Sequence, residues 1–377
     1  MESFIPFSRP SFDENEENEL LQTLRSGWIT TGPRVKLFEA ELAAYLELPE
    51  IVALSSCTAA LHLSYLLAEL GAGDEVLTPS LTFASTANMI LATGARPIFV
   101  DVDQKTLTIS PEDAESKITD HTKAIVAVDY AGNPADYGAL RAICDRHGLV
   151  LVEDAAHACG AEYEGKKLGA IADFTCFSFY ANKNMTMAEG GALAARDPKL
   201  LSRARVMALH GMDKDAWKRY DRSGSWRYEI SELGFKYNLT DIQAALGIHK
   251  LRKLPSFNKR RSEIVERYRT ELCDVPRIRM LDWPLNTKAT PYLAVLLVEP
   301  DARLNRDSLV ENLSVRGVGT SVHFIPLHLQ PLYSRMRRVS LPHTEAAFER
   351  ILSLPNFPSM TDGDVSRVIE VIRELET

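Results

Sequence analysis

Residues 149–157 have the sequence LVLVEDAAH, an aliphatic run that ends in two carboxylates and a histidine. Helical patterns such as 59–70 and 134–147 separate it from similar runs, and successive runs begin 22 to 27 residues apart. Those earlier runs lie at residues 51–54, 75–78, 97–100 and 124–128. The spacing is typical of strand–helix units in a parallel sheet. We therefore predict an α/β fold with a mostly parallel central sheet flanked by helices.

Two further runs, at residues 174–179 and 191–195, follow the quoted stretch. The loop between them is too short to contain the crossover helix that parallel neighbours require. We therefore predict that at least one strand is antiparallel, or that these two strands are not neighbours.

The pattern changes in the second half of the chain. Thr240 and Gln243 have the spacing of a capping box, which predicts a helix over 241–254, and Pro255 then permits a second helix through residue 269. The elements predicted after residue 290 are a strand at 292–298, a helix at 306–316, a strand at 320–324 and a helix at 362–375. Because the chain is longer than one compact unit usually holds, we predict two domains. They are a large domain over residues 1–250, which includes the N-terminal segment, and a smaller C-terminal α+β domain over 251–377.

Composition narrows the classes of function. The 377 residues carry a formal net charge of −8, which argues against a nucleic acid or an anionic membrane as partner. No apolar run approaches the ~20 residues that span a bilayer, and the acidic N-terminal stretch lacks a secretory signal pattern. The five cysteines are scattered singly, as is typical of reduced thiols in the cytoplasm. His323 and His328 have no cysteine or acidic partner at metal-site spacing, so we expect no metal.

A stretch of small hydroxyl residues follows the strand predicted at 51–54. Its sequence, SSCTAA at residues 55–60, opens a helix. Free backbone N–H groups and the positive end of the helix dipole suit a phosphate there, although a plain Ser/Thr helix cap explains the same pattern. No GxGxxG motif follows any predicted strand, so a Rossmann dinucleotide site is poorly supported.

Three more candidate residues lie at the ends of predicted strands. Asp154 ends the quoted run, Lys183 follows the run at 174–179, and Phe83 follows the run at 75–78. Taken singly, they could be a helix cap, a solvated surface lysine and a core aromatic residue. Taken together with the phosphate cradle, they match pyridoxal 5′-phosphate, whose ring nitrogen needs an acid, whose aldehyde needs a lysine amine and whose ring needs a stacking partner.

A wider resemblance surrounds these residues. Over nearly its whole length the chain is similar to the DegT/DnrJ/EryC1/StrS family of sugar aminotransferases, which are fold type I pyridoxal-phosphate enzymes. The segments that carry the resemblance are 27–33, 55–61, 78–83, 152–158, 177–179 with 183–184, and 234–241. Within the family the chain most resembles the branch that aminates a UDP-4-keto-pentose to UDP-4-amino-4-deoxy-L-arabinose. The shared segments there are 153–157, 183–184 and 188–191.

The resemblance implies roles for four residues around the cofactor ring. Lys183 would be the catalytic Schiff-base lysine and the proton shuttle. Asp154 would pair with the pyridine nitrogen, and His157 would lie beside the 3-oxygen of the ring. Phe83 would stack on the ring, with a smaller contact area than the Trp that close relatives have at this position.

The resemblance also implies how the phosphate is held. Thr58 and Ser178 would bind it, and Cys57 would contribute only a backbone N–H, because many members have Gly there. Asn238 would reach the cofactor phosphate of the partner subunit. The resemblance therefore implies a homodimer with shared active sites, whose large domain binds the cofactor, whereas the scattered cysteines indicate a cytoplasmic protein.

Substrate contacts are less sharply implied. Trp28 and Thr30 lie in the substrate segment of the family, although Trp28 could equally be a packing aromatic. His323 and His328 could face the sugar or cap a strand. Three arginines of the segment 210–236 could bind a nucleotide diphosphate or belong to a solvated basic loop, and these are Arg219, Arg222 and Arg227.

The reaction implied by the resemblance moves an amino group from L-glutamate to a nucleotide-linked keto-sugar, a UDP- or dTDP-4-keto sugar. One alternative is a pyridoxal-dependent sugar dehydratase, although its relatives replace the lysine with histidine. Another is a non-catalytic regulator on the same fold, which has no chemical need for Lys183, Asp154 and Thr58 together. The sequence leaves open the sugar, the nucleotide, amination at C3 or C4, and the pathway.

Overall fold

The computed structural model describes residues 4–212, 228–336 and 338–376. The strands in chain order are β1 (Val52–Leu54), β2 (Glu75–Pro79), β3 (Arg96–Val100), β4 (Thr122–Val128), β5 (Val150–Asp154), β6 (Glu162–Tyr163), β7 (Lys166–Lys167), β8 (Phe174–Ser178), β9 (Gly191–Ala195), β10 (Ile278–Met280), β11 (Thr287–Lys288), β12 (Ala294–Val298) and β13 (Ile351–Leu354).

The described α-helices in chain order are α1 (Glu14–Arg25), α2 (Pro33–Leu46), α3 (Cys57–Leu67), α4 (Ala84–Ala92), α5 (Pro111–Ser116), α6 (Tyr137–His147), α7 (Pro198–Met207), α8 (Asp241–Glu271), α9 (Arg306–Val315), α10 (Pro331–Ser334), α11 (Pro342–Phe348) and α12 (Asp362–Glu376). Short 3₁₀ turns lie at Tyr130–Gly132 and Leu327–Leu329. None of the described helices has an apolar stretch long enough to cross a bilayer.

Seven strands form the central sheet, in the order β1-β9-β8-β5-β4-β2-β3. The neighbours from β8 through β5, β4 and β2 to β3 are parallel, whereas β9 is antiparallel to both β1 and β8. The predicted α/β fold and the predicted antiparallel strand are therefore confirmed. The carboxyl ends of the parallel strands share one edge of the sheet, where α/β proteins bind ligands.

Helices cover both faces of this sheet. Leu151 of β5 packs with residues of α2, α6 and α8, while the next residue, Val152, packs with residues of α3, α4 and α7. A strand that is buried on both faces has a continuous apolar sequence rather than an alternating one. This double burial explains why the strands are visible as uninterrupted aliphatic runs.

The C-terminal part of the chain has its own sheet and core. Strands β10, β12 and β13 form an antiparallel sheet, as expected of the predicted α+β arrangement. Leu296 of β12 packs with Tyr268 of α8, Leu309 of α9 and Val368 of α12. The second half of α8 thus belongs to this core, while its first half covers the central sheet.

The N-terminal segment ties the two cores together. Ile5 lies beside Val318 in a parallel bridge, donating to the Gly317 carbonyl at 2.9 Å and accepting from Gly319 N at 2.8 Å. Helix α1 then packs on α8, where the Glu16 carboxylate lies 3.3 Å from Lys250 Nζ. Both of these side chains are 1% exposed. A buried charge pair of this kind costs stability when one partner is lost.

The two helices predicted on either side of Pro255 are in fact one. Helix α8 runs for 31 residues, with Pro255 inside it and the predicted Thr240–Gln243 capping box at its start. Proline removes one backbone N–H from a helix interior. Leu251 and Leu254 before it and Asn258 after it are buried, so packing on both sides outweighs this loss. The domain boundary predicted after residue 250 falls within this helix.

Residues 320–324 do not form the predicted strand. Ser321 pairs with Ser353 of β13 only in an isolated bridge. Beyond it the His323 carbonyl accepts from the Tyr130 hydroxyl instead of continuing the ladder. The chain leaves the edge of the small sheet at this point. The side chains of His323 and Phe324 therefore line the cavity described next.

Candidate active site

Helix α3 begins at the carboxyl end of β1. Ser56 caps it by accepting a hydrogen bond from Ala59 N at 3.1 Å. The N–H groups of Cys57 and Thr58 lie in the first turn and have no acceptor within the helix. Gly191 of β9 lies against this turn, and a Cβ at that position would sit 2.4 Å from the Cys57 nitrogen. Because glycine has no Cβ at position 191, the start of α3 can lie close to the sheet, and its free N–H groups stay accessible to an anion.

Asp154 ends β5 and is 4% exposed. Its Oδ2 accepts from Thr86 Oγ1 at 2.8 Å, and its Oδ1 accepts from Ala156 N at 3.2 Å. Burial raises the pKa of this carboxyl, while the two hydrogen bonds and the nearby Lys183 lower it in part. Residues 155–161 form turns and extended segments rather than a helix, so Asp154 does not cap one. Its buried charge forms no salt bridge with any described residue.

Lys183 lies in the loop between β8 and β9. Its Nζ is 4.4 Å from the centroid of the Tyr292 ring and makes no hydrogen bond to a described residue. Burial lowers the pKa of Lys183 to about 8, although the neighbouring Cys57 and Asp154 oppose this shift. About a tenth of the amine is therefore neutral and nucleophilic at pH 7, far more than for a lysine with an ordinary pKa.

His157 follows β5 and lies among aromatic rings. Its ring centroid is 4.4 Å from that of Tyr292 and 5.9 Å from that of Phe324. Nδ1 accepts a hydrogen bond from Ala131 N at 3.3 Å, which assigns the proton of the neutral ring to Nε2. Burial, together with the charge of Lys183, lowers the pKa of His157 well below its usual value. His157 is therefore a neutral donor at Nε2.

These groups line one cavity of about 450 Å³. Phe83, with 61% of its surface exposed, contacts Phe324 at a centroid distance of 5.9 Å. Ser178 pairs with Gly191 in the β8–β9 ladder, which brings it beside the first turn of α3. The residues singled out from the sequence that line the cavity are Cys57, Thr58, Phe83, Asp154, His157, Ser178, Lys183 and His323.

Three other predicted site residues line a second cavity of about 190 Å³, and they are Trp28, Thr30 and Asn238. Asn238 Nδ2 donates to Thr31 Oγ1 at 2.7 Å, whereas its Oδ1 is buried without a partner among the described residues. Within one chain these residues and Lys183 therefore line different cavities.

His328 lies outside both cavities. Its Nδ1 is 2.7 Å from Ser80 Oγ and its Nε2 is 3.3 Å from Glu345 Oε1, so both ring nitrogens have partners. Arg219, Arg222 and Arg227 lie outside the described residues. Within the described ranges, no group of three His, Cys, Asp or Glu side chains could hold a metal ion.

Sequence reasoning missed several residues that line the cavity or support it. Tyr292 covers the Lys183 amine, Phe324 stacks near His157, and Thr86 holds Asp154. Thr86 could have been predicted from the sequence, because it lies three residues after the candidate Phe83, in the first turn of α4. No local pattern indicated Tyr292 or Phe324 as site residues, because both belong to segments far away in the chain that only the tertiary fold brings to the cavity.

Comparison with known proteins decides the family. Residues 10–373 match the model of the DegT/DnrJ/EryC1/StrS aminotransferase family. The chain belongs to this family. It is 43% identical to the spore coat polysaccharide biosynthesis protein SpsC of Bacillus subtilis (strain 168), over 99% of this chain and 97% of the relative.

Solved structures of aminotransferases match the whole fold. Spr1654 of Streptococcus pneumoniae, described as a sugar aminotransferase, is 35% identical in its PMP form, with a TM-score of 0.93 and 99% of each chain covered. Helicobacter pylori PseC, described as an aminotransferase of pseudoaminic acid biosynthesis, is 29% identical, with a TM-score of 0.92 and 99% of each chain covered. The predicted family and the predicted fold of a pyridoxal-phosphate aminotransferase are confirmed.

The predicted cofactor is also confirmed, since Spr1654 matches in both its PLP form and its PMP form. The residues of this chain fit pyridoxal phosphate. The first turn of α3 offers free N–H groups, and Gly191 keeps that turn open. Asp154 is a buried carboxylate that forms no salt bridge with a described residue, and Lys183 is an amine without a hydrogen-bond partner in the same set.

Proposed function

We propose that this sugar aminotransferase transfers the amino group of L-glutamate to a nucleotide-linked keto-sugar, a UDP- or dTDP-4-keto sugar. In this proposal Lys183 is the catalytic residue that holds pyridoxal phosphate as a Schiff base. The observation that carries it is the meeting of three groups in one cavity, which are an amine with a depressed pKa, a buried carboxylate and an open helix end.

Four residues would hold the phosphate and the ring. The N–H groups at Cys57 and Thr58 donate to the phosphate, as do the hydroxyls of Thr58 and Ser178. Phe83 packs against one face of the ring. The bound group supplies an aldehyde that condenses with an amine and a ring that withdraws electrons when its nitrogen is protonated.

Three side chains would handle the protons. Lys183 Nζ takes up and returns a proton near neutral pH, because burial lowers its pKa to about 8. Asp154 holds the proton at the ring nitrogen, and its buried negative charge thereby gains a cationic partner. His157 donates its Nε2–H to the ring oxygen, because Ala131 N already occupies Nδ1.

The second cavity supports the proposal of a homodimer with shared sites. The Asn238 Nδ2 group carries two N–H bonds, and one of them donates to Thr31 Oγ1, so the second can donate to a phosphate oxygen. We assign Asn238 to the cofactor phosphate of the partner subunit, with Trp28 and Thr30 next to the sugar. His323 faces the sugar from within its own chain. His328 does not contact the sugar but holds residues 323–328 in place through its hydrogen bond to Ser80.

An absorption spectrum tests the proposal. The purified protein, loaded with pyridoxal phosphate, should have a visible band that shifts on addition of L-glutamate and recovers on addition of a keto-sugar nucleotide. A band that glutamate does not change would favour the regulator. Release of the sugar hydroxyl without incorporation of nitrogen would favour the dehydratase.

A panel of UDP- and dTDP-linked keto-sugars, followed by mass spectrometry, identifies the acceptor. The mass of the product separates pentoses from 6-deoxyhexoses, and NMR spectra of the product separate C3 from C4 amination. Amination of free keto-sugars as efficiently as of their nucleotide-linked forms would contradict the proposed substrate class.

A further inference from the structure

A buried arginine lies directly behind the lysine loop. Arg261 of α8 is 4% exposed, yet it forms no salt bridge with any described residue. Its Nη1 donates to the Asn184 carbonyl at 3.0 Å, and its Nη2 donates to the Lys183 carbonyl at 3.3 Å. Taking a guanidinium out of water without a carboxylate partner costs stability, and hydrogen bonds to two neutral carbonyls offset only part of this cost.

Asn184 and Asn258 extend this contact to the rest of the cavity. Asn184 Nδ2 donates to Asn258 Oδ1 at 2.9 Å and to the Thr290 carbonyl at 3.3 Å. Asn258 Nδ2 donates to the Cys159 carbonyl at 3.1 Å. Asn184 and Asn258 are 2% and 9% exposed, respectively, so little water competes for these bonds.

The three segments that meet here each carry a residue of the cavity. Cys159 is two residues after His157, and Thr290 is two residues before Tyr292, whose ring covers the Lys183 amine. Arg261 and Asn258 are three residues apart and therefore lie on one face of α8. A single helix face thus fixes the lysine, the histidine and the tyrosine relative to one another.

We propose that Arg261, acting through the Lys183 and Asn184 carbonyls, is a positioning residue that holds the Lys183 amine in reach of the cofactor aldehyde. The guanidinium fork matches two neighbouring carbonyls at once, whereas an ammonium cannot span both in a fixed geometry. The inference rests on the proposed function of Lys183. It adds that the reactivity of the amine depends on a residue that does not touch the cofactor.

The test compares Arg261→Lys with Arg260→Lys in the full chain, after removal and re-addition of pyridoxal phosphate. Arg260 is the matched control, because it lies on the same helix but bonds to the Met360 carbonyl and to Asp362. Condensation of the amine with the aldehyde releases one water and produces a visible band. The rate at which this band appears should fall at least about tenfold in Arg261→Lys and stay unchanged in Arg260→Lys.

A second ligand separates positioning from general loosening. Pyridoxamine phosphate has the same ring and phosphate but cannot condense with Lys183. Its Kd should therefore be unchanged in Arg261→Lys if only the lysine is misplaced. Equal weakening of pyridoxamine phosphate binding and of attachment would mean a damaged cavity and would overturn the inference, as would an attachment rate like that of the native chain.

Borohydride reduction followed by peptide mass spectrometry keeps the two proposals apart. A label on a lysine other than Lys183 in the native chain would contradict the proposed function. A label on Lys183 with equal attachment rates in the native and Arg261→Lys chains would contradict only the positioning role. If Arg261→Lys does not fold, Asn258→Ala tests the same network. Attachment of pyridoxal phosphate to Lys183 should also slow in Asn258→Ala, while pyridoxamine phosphate still binds.

Discussion

Lys183 has no hydrogen-bond partner among the described side chains, so its replacement should affect chemistry more than folding. We expect Lys183→Ala to lower turnover by at least about 10³-fold, since the covalent nucleophile and the general base are lost together. Binding of pyridoxamine phosphate should persist, because the phosphate and ring contacts remain. Lys199→Ala, at an exposed position of α7, is the control, and near-normal activity of Lys183→Ala would contradict the assignment.

Asp154 should be tested by a change that keeps its shape. Asp154→Asn should keep its melting temperature near that of the native chain but lower the single-turnover rate by about 10²-fold, because an amide cannot stabilise a protonated ring nitrogen. A purely structural role would instead lower stability at an unchanged rate. Asp145→Asn, which alters an exposed partner of Arg141, controls for the loss of a surface carboxylate.

The depressed pKa of Lys183 determines how the rate of cofactor attachment should depend on pH. Only the neutral amine attacks an aldehyde, and burial lowers its pKa from 10.5 to about 8. The rate of cofactor attachment to the cofactor-free chain should therefore rise with pH through about 8 and level off above it. Stopped-flow absorbance between pH 6 and 10 measures this, and a midpoint near the ordinary lysine value would contradict the burial argument.

Local sequence patterns were enough to identify some residues of the site but not others. Asp154, Lys183 and Thr58 were found because strand ends in a parallel sheet share one edge, so short local patterns were enough. Arg261 could not be found in this way, since it acts 77 residues away from Asn184 across a helix packing contact. Its sequence surroundings are those of an ordinary charged helix.

Among the elements, the meeting of α3 with β9 depends on one glycine. A methyl group at position 191 would lie 2.3 Å from the Ser56 carbonyl carbon, so Gly191→Ala should push the first turn of α3 off the sheet. We expect the affinity for pyridoxamine phosphate to fall while the central sheet still folds. Isothermal titration measures this effect. Gly71→Ala is the matched control, because a Cβ there meets nothing within 4 Å, and equal Kd values for the two variants would contradict the argument.

Other elements show why local patterns fail. Pro255 predicted a break in α8 because a proline lacks the N–H that a helix interior uses, but burial on both sides of the proline keeps the helix continuous. In residues 320–324 the apolar Val322 and Phe324 alternate with polar residues, which suits a strand, yet no continuous partner strand lies beside them among the described residues. In both cases tertiary packing, which the local pattern does not contain, decided the outcome.

For the whole molecule, the proposal of shared sites can be tested with one mixed dimer. The double variant Lys183→Ala/Asn238→Asp is co-expressed with the native chain under different tags, and mixed dimers are isolated. With shared sites, one site lacks the lysine and the other has a carboxylate beside the phosphate, so activity should be near zero. Mixed dimers with about half the native activity would mean that each site is self-contained, which would contradict the proposal.

The path of the N-terminal segment has a consequence for how such proteins can recombine. Ile5 pairs with the chain around Val318, and α1 places Glu16 against Lys250 in the first half of the helix shared by both cores. A crossover between two family members at residue 250 would therefore exchange the bridge partner of Ile5 and the second half of α8 in one event. We expect such a chimera to keep its packing only where both halves preserve these contacts, even though each half has a hydrophobic core of its own.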